Sequence, residues 1–98
     1  MDHGYKTAEN RLFRAILTLQ TEEECRNFFD DLCTIKELQD LSQRIEVAAM
    51  LREGKIYQEV SRETGASTAT ISRVSKCLNY GSNGYETVLQ RMKDEEQS

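Results

Sequence analysis

Residues 57 to 78 read YQEVSRETGASTATISRVSKCL, and their spacing predicts a helix, a tight turn at Gly65 and a second helix opening at Ser67. Two short helices that cross steeply need a turn residue tolerant of positive φ and a few apolar side chains to hold the crossing. Gly65 meets the first need. With Tyr57 counted as the first position, Val60, Ala66, Ile71 and Val74 stand fourth, tenth, fifteenth and eighteenth, and the small Ser61 stands fifth, where the helices come closest. This is the pattern of a helix-turn-helix.

The second of these helices has a distinctive surface. Ser67 is a good N-cap, because its hydroxyl can accept from a backbone N–H of the first turn. Thr68, Ala69, Thr70 and Ser72 are small or hydroxylated, and Arg73 and Lys76 follow as cations. A helix so built can enter a major groove closely, with hydroxyls and methyls at base edges and cations at phosphate or guanine. The expected reading residues are Ser67, Thr68, Ala69, Ser72, Arg73 and Lys76, with Tyr57 and Gln58 touching phosphates from the preceding helix. The partner would be double-stranded DNA. The alternative is a protein-interaction module whose helix-turn-helix serves only for packing.

Working outward, 98 residues with 38% hydrophobic content, no Pro and only five Gly favour a single all-helical domain. No apolar run approaches the ~20 residues of a membrane span, and MDHGYKTAENR carries no signal-peptide core, so a cytoplasmic location is expected. Cys25, Cys33 and Cys77 stand in no metal-binding spacing, and His3 is the lone histidine, so no metal site is expected. Catalytic residues are expected to be absent as well. No nucleophile has a base at a local spacing, and Glu22, Glu23, Glu24, Asp30 and Asp31 fall on solvated helix faces.

The formal net charge of −4 divides unevenly. Residues 55 to 80 carry four cations and two anions, whereas residues 1 to 54 carry seven and eleven and residues 81 to 98 carry two and four. The only positive segment is the proposed reading head. An acidic body repels DNA in general, so binding would depend on correct contacts.

The remaining chain reads as amphipathic helices. Residues 6 to 19 place Leu12, Phe13, Ile16 and Leu17 on one stripe. Thr21 with Glu24 forms a capping box before Cys25, Phe28, Phe29, Leu32 and Cys33, and Thr34 with Glu37 repeats it before a helix of roughly 18 residues (~27 Å) ending before Gly54. After the loop NYGSNG, residues 85 to 92 give a last short helix, and KDEEQS should be a disordered tail. The helices of residues 6 to 54 carry more apolar surface than a small helix-turn-helix can cover. A homodimer is the economical explanation, since one recognition helix reads few base pairs and a palindromic site repeats the contacts about one DNA turn away. The alternative is a self-contained monomeric bundle.

Three segments, FFDDLCTIKELQDLSQRIEVAAMLREGK, ETGASTATISRVSKCLNYG and GYETVLQRM, resemble the Trp repressor superfamily, in particular its YerC/YecD group, over about residues 9 to 92. The resemblance implies an all-α, intertwined homodimer with a helix-turn-helix on each side and a role in transcriptional regulation as a repressor. It also implies two arginines flanking a bound L-tryptophan between the central and recognition helices, which match Arg44 and Arg73. A planar guanidinium suits that task by stacking on a ring and forking onto a carboxylate. Without such a ligand, Arg44 would pair with a neighbour such as Asp40, and Arg73 would contact phosphate. The chain departs from the pattern at Val74, where the repressor has glycine. Val74 would fill the space of the indole, which weighs against tryptophan and leaves another small effector or none. Further departures are a first motif helix one residue shorter and Cys77 in place of a hydroxyl residue.

Overall fold

The computed structural model describes the backbone of residues 3 to 97 and the side chains from Lys6 to Gln97. The side chain of His3 therefore lies outside the described residues. Among the described residues six helices follow one another: α1 (His3–Leu17), α2 (Glu22–Leu32), α3 (Ile35–Arg52), α4 (Tyr57–Thr64), α5 (Thr68–Tyr80) and α6 (Gly84–Glu96). No strand occurs among the described residues. None of their helices is long and apolar enough to cross a membrane. The packing divides the chain into a unit ending at Leu38 and a second unit from Gln39 onward.

In the first unit, α1 ends at Leu17, two residues before the expected position. The Thr18 hydroxyl donates to the Ala15 carbonyl at 2.7 Å, and the Thr18 and Leu19 amides bond three residues back, which closes the last turn. Thr21 caps α2 by accepting from the Glu24 amide at 3.0 Å. The Glu24 carboxylate turns back to the Gln20 amide at 2.9 Å, one residue earlier than a standard capping box. Phe28 and Phe29 meet edge to face, with centroids 5.5 Å apart. Yet no residue of α2 is buried, and Phe13 and Leu17 of α1 are 54% and 82% exposed.

The start of α3 carries the complete box: Glu37 N–H donates to Thr34 Oγ1 at 3.1 Å, and Thr34 N–H donates to Glu37 Oε1 at 2.8 Å. In the second unit, Val47 and Ala48 of α3, Val60 of α4, Ala66, Ile71 and Val74 at and within α5, and Leu89 of α6 form one buried cluster. Every apolar position that the helix-turn-helix spacing requires is in it. Gln43 adds a polar tie by donating from Nε2 to the Thr64 carbonyl at 3.2 Å.

A further tie joins α3 to α6. Arg52 Nε donates to both oxygens of Glu86, at 2.9 and 2.8 Å, and Arg52 Nη2 donates to Gln90 Oε1. The hydrogen bond from Arg52 holds the Glu86 carboxyl below its ordinary pKa, and Glu86 in turn raises that of the guanidinium.

Helix α5 continues to Tyr80, two residues past the expected end, and stops at Gly81. A Cβ at Gly81 would sit 2.4 Å from the Cys77 carbonyl oxygen, so the chain can turn there only without a side chain. Helix α6 is longer than the expected 85 to 92. Residues 93 to 96, expected from sequence to belong to a disordered tail, are helical, because Lys, Asp and Glu are good or tolerable helix residues and Gln90 Nε2 bonds Asp94 Oδ1 one turn on at 3.0 Å.

Candidate nucleic-acid interface

The reading head is built by the turn between α4 and α5. Gly65 closes α4 in the left-handed conformation at φ 74°, and its amide bonds the Ser61 carbonyl at 2.9 Å. The Thr64 hydroxyl donates to the Val60 carbonyl at 2.7 Å and accepts from the Ala66 amide at 3.1 Å. The Ser61 hydroxyl donates to the Ala66 carbonyl at 3.1 Å. Two short polar side chains, Ser61 and Thr64, thus satisfy the turn's backbone, and Ala66, only 2% exposed, is pinned beneath α5.

Helix α5 separates two faces. Ile71 and Val74 point into the core at 1% exposure each. Thr68, Ala69, Ser72, Arg73 and Lys76 are all exposed, and at 3.6 residues per turn they share an arc of about 140°. Five of the six residues expected to read from this helix therefore lie on one solvent-facing surface. Ser67 is exposed as well, but its hydroxyl is engaged. It accepts from the Thr70 amide at 3.1 Å and donates to Thr70 Oγ1 at 3.1 Å, so it caps the helix.

Tyr57 and Gln58 stand at the N-terminus of α4 and are exposed. Together with Ser61, Arg62, Thr68 and Ile71 they line a shallow cleft of about 360 Å³ between the two N-terminal helix ends. Arg62 is a further cation here, outside the expected set of reading residues. Its only signal was its place one turn after Gln58, which puts both on one side of α4. On the same helix Glu59 faces Lys55 at 3.8 Å.

Arg44 of α3 and Arg73 of α5 are both exposed. Val74, next to Arg73, is packed in the cluster that includes Val47 and Ala48 of α3, so a side chain of the protein occupies the core between the central and recognition helices. An apolar cleft of about 470 Å³ lies elsewhere in the second unit, lined by Ile45, Cys77, Gly81, Tyr85 and Val88 among others. No group of three or more His, Cys, Asp or Glu side chains able to hold a metal occurs among the described residues.

An all-helical chain with a glycine-turned helix pair and a polar, cationic outer face on the second helix is a helix-turn-helix regulator by class. The match to the family model described as Trp repressor protein spans residues 8–93, and the chain belongs to that family. It is 61% identical over 87 residues to the uncharacterized protein YerC of Bacillus subtilis (strain 168), covering 89% of this chain and 84% of YerC. It is similar in structure to a candidate Trp repressor from Staphylococcus aureus, with a TM-score of 0.86, 53% identity, and 89% and 87% of the two chains covered. A TrpR like protein from Eubacterium eligens ATCC 27750 gives a TM-score of 0.85 at 53% identity, covering 89% and 90%. Proteins of this family are transcription regulators and not enzymes.

Proposed function

We propose that the protein is a sequence-specific DNA-binding repressor that acts as a homodimer on a palindromic operator in the cytoplasm. The observation that carries this reading is the exposed arc of Thr68, Ala69, Ser72, Arg73 and Lys76 on a helix whose opposite side is buried. Small side chains near the N-terminus of a recognition helix let its backbone approach base edges, and the cations further along meet phosphate or guanine. Tyr57, Gln58 and Arg62 flank that arc and serve as phosphate contacts; Ser67 holds the helix start.

Pairing is supported by apolar surface left uncovered in the single chain. Phe13, Leu17, Leu32 and Ile35 of the first unit are exposed, and so are Met92 and Val88 of the second, Val88 lining the apolar cleft with Ile45 and Tyr85. A second copy would bury both sets, and two-fold symmetry would present two recognition helices. The buried Val74 supports a reading head set without tryptophan, with Arg44 and Arg73 free for ion pairing and phosphate.

The test is selection from a pool of random duplexes at physiological salt, with no ligand added. Enrichment of a palindrome is the expected result, and Thr68→Glu should abolish it through repulsion from phosphate. A pool that stays random, or a Thr68→Glu variant with intact affinity, contradicts the groove assignment.

A further inference from the structure

Resting on the DNA-reading role above, we infer that the base read in the first turn of α5 is thymine, recognised at its C5-methyl group by the methyl of Ala69. The inference follows from what the other small residues of that turn are doing. The hydroxyls of Ser67 and Thr70 are bonded to each other, and Ser67 also holds the Thr70 amide. Thr68 leans toward α4 and lines the cleft with Tyr57, Gln58 and Arg62, a set of donors suited to a phosphate. Ala69 alone in this turn is exposed, near the middle of the reading arc, and without a polar group.

The chemistry of the groove then selects the base. Adenine is read by the amide of Asn or Gln, cytosine by a carboxylate, guanine by Arg or Lys, and thymine by apolar contact with its methyl group. The outer face of α5 from Thr68 to Lys76 holds no Asn, Gln, Asp or Glu, and its cations, Arg73 and Lys76, come one to two turns after Ala69. The N-terminal residues of a recognition helix are those that reach base edges. At the point of closest approach the protein therefore offers a methyl group, and thymine is the base that answers it.

The test uses the full chain and the duplex recovered by selection, replacing thymine by uracil at one position at a time. Uracil keeps every hydrogen-bonding group and removes only the methyl. At one position in each half-site the wild-type protein should lose about fourfold in affinity, the factor that corresponds to about 0.8 kcal/mol for one buried methyl-sized group. Ala69→Gly should bind more weakly and be indifferent to uracil at that position, while keeping its salt dependence. Wild-type affinity unchanged by uracil at every position overturns the thymine assignment while leaving the DNA-reading role intact, and this arm needs no variant to fold. Ala69→Gly retaining the full uracil effect also overturns it, since the methyl would then be met by another residue. A pool without any enriched sequence removes the DNA-reading role and the assignment together.

Discussion

The Ser67 hydroxyl lies 3.1 Å from the Thr70 hydroxyl and 3.1 Å from the Thr70 amide, so the residue that opens the recognition helix is bound to the helix itself. Its contribution is to satisfy one of the amides that a helix N-terminus leaves without a partner. Ser67→Ala should therefore destabilise the protein by about 1 kcal/mol, read as a lower urea midpoint, and Ser67→Asn should recover most of that loss. The sequence selected by Ser67→Ala should match that of the wild type. A change of preferred base with unchanged stability would make Ser67 a reader.

Lys76 lies on the same outer arc as Ala69 and Arg73, two turns beyond the helix start, and on the proposed reading it would meet the sugar-phosphate backbone. Lys76→Ala should weaken binding to all sequences alike and lower the slope of log affinity against log salt by about one, because one counterion fewer is released. A loss confined to one base pair would place Lys76 on a base edge instead.

Much of this head was legible in the sequence because its determinants are local. The left-handed turn at Gly65, the core positions Val60, Ala66, Ile71 and Val74, and the Thr34–Glu37 box all lie within a few residues of what they organise. What escaped was mostly non-local or depended on competing use of one group. The tie from Arg52 to Glu86 spans 34 residues, and no spacing rule connects them. The cap at Ser67 was legible, but the bond from its hydroxyl to that of Thr70 was not, because the spacing alone does not orient the Thr70 side chain. The end of α6 had no glycine or proline to mark it, so a polar segment read as a tail is helical through Glu96.

The Arg52–Glu86 tie makes a statement about pH. Because the guanidinium holds the Glu86 carboxyl below its ordinary pKa, the folded state favours the ionised form more than the unfolded chain does. The stabilisation is complete above the unfolded pKa and is lost as pH falls through the lower, folded value. The stability difference between wild type and Glu86→Gln should thus be constant near neutral pH and shrink in acid, as measured by urea unfolding at a series of pH values. A difference that grows on acidification would contradict the pairing.

Exposed Phe13 and Leu17 predict that the protein associates. Sedimentation should give twice the mass of one chain, and Phe13→Asp, which would bury a charge in the interface, should shift the population toward single chains at micromolar concentration. A wild-type protein that sediments as one chain at every concentration would remove the two-fold model of operator binding.

The proposal of a reading head set without tryptophan turns on Val74. At 1% exposure its side chain is a fixed part of the cluster formed with Val47, Ala48 and Ile71, and cores are packed too densely to admit a ring beside an intact valine. L-tryptophan should therefore change wild-type affinity for the selected duplex by less than twofold. Val74→Gly should lose at least about 2 kcal/mol of stability, from the cavity and the helical glycine together. If the vacated volume lies between Arg44 and Arg73 as the family resemblance implies, indole or tryptophan should raise the urea midpoint of Val74→Gly and leave that of the wild type unmoved. A tenfold gain in wild-type DNA affinity on adding tryptophan would mean that the ligand seats without displacing Val74, and the reading head would then be ligand-controlled.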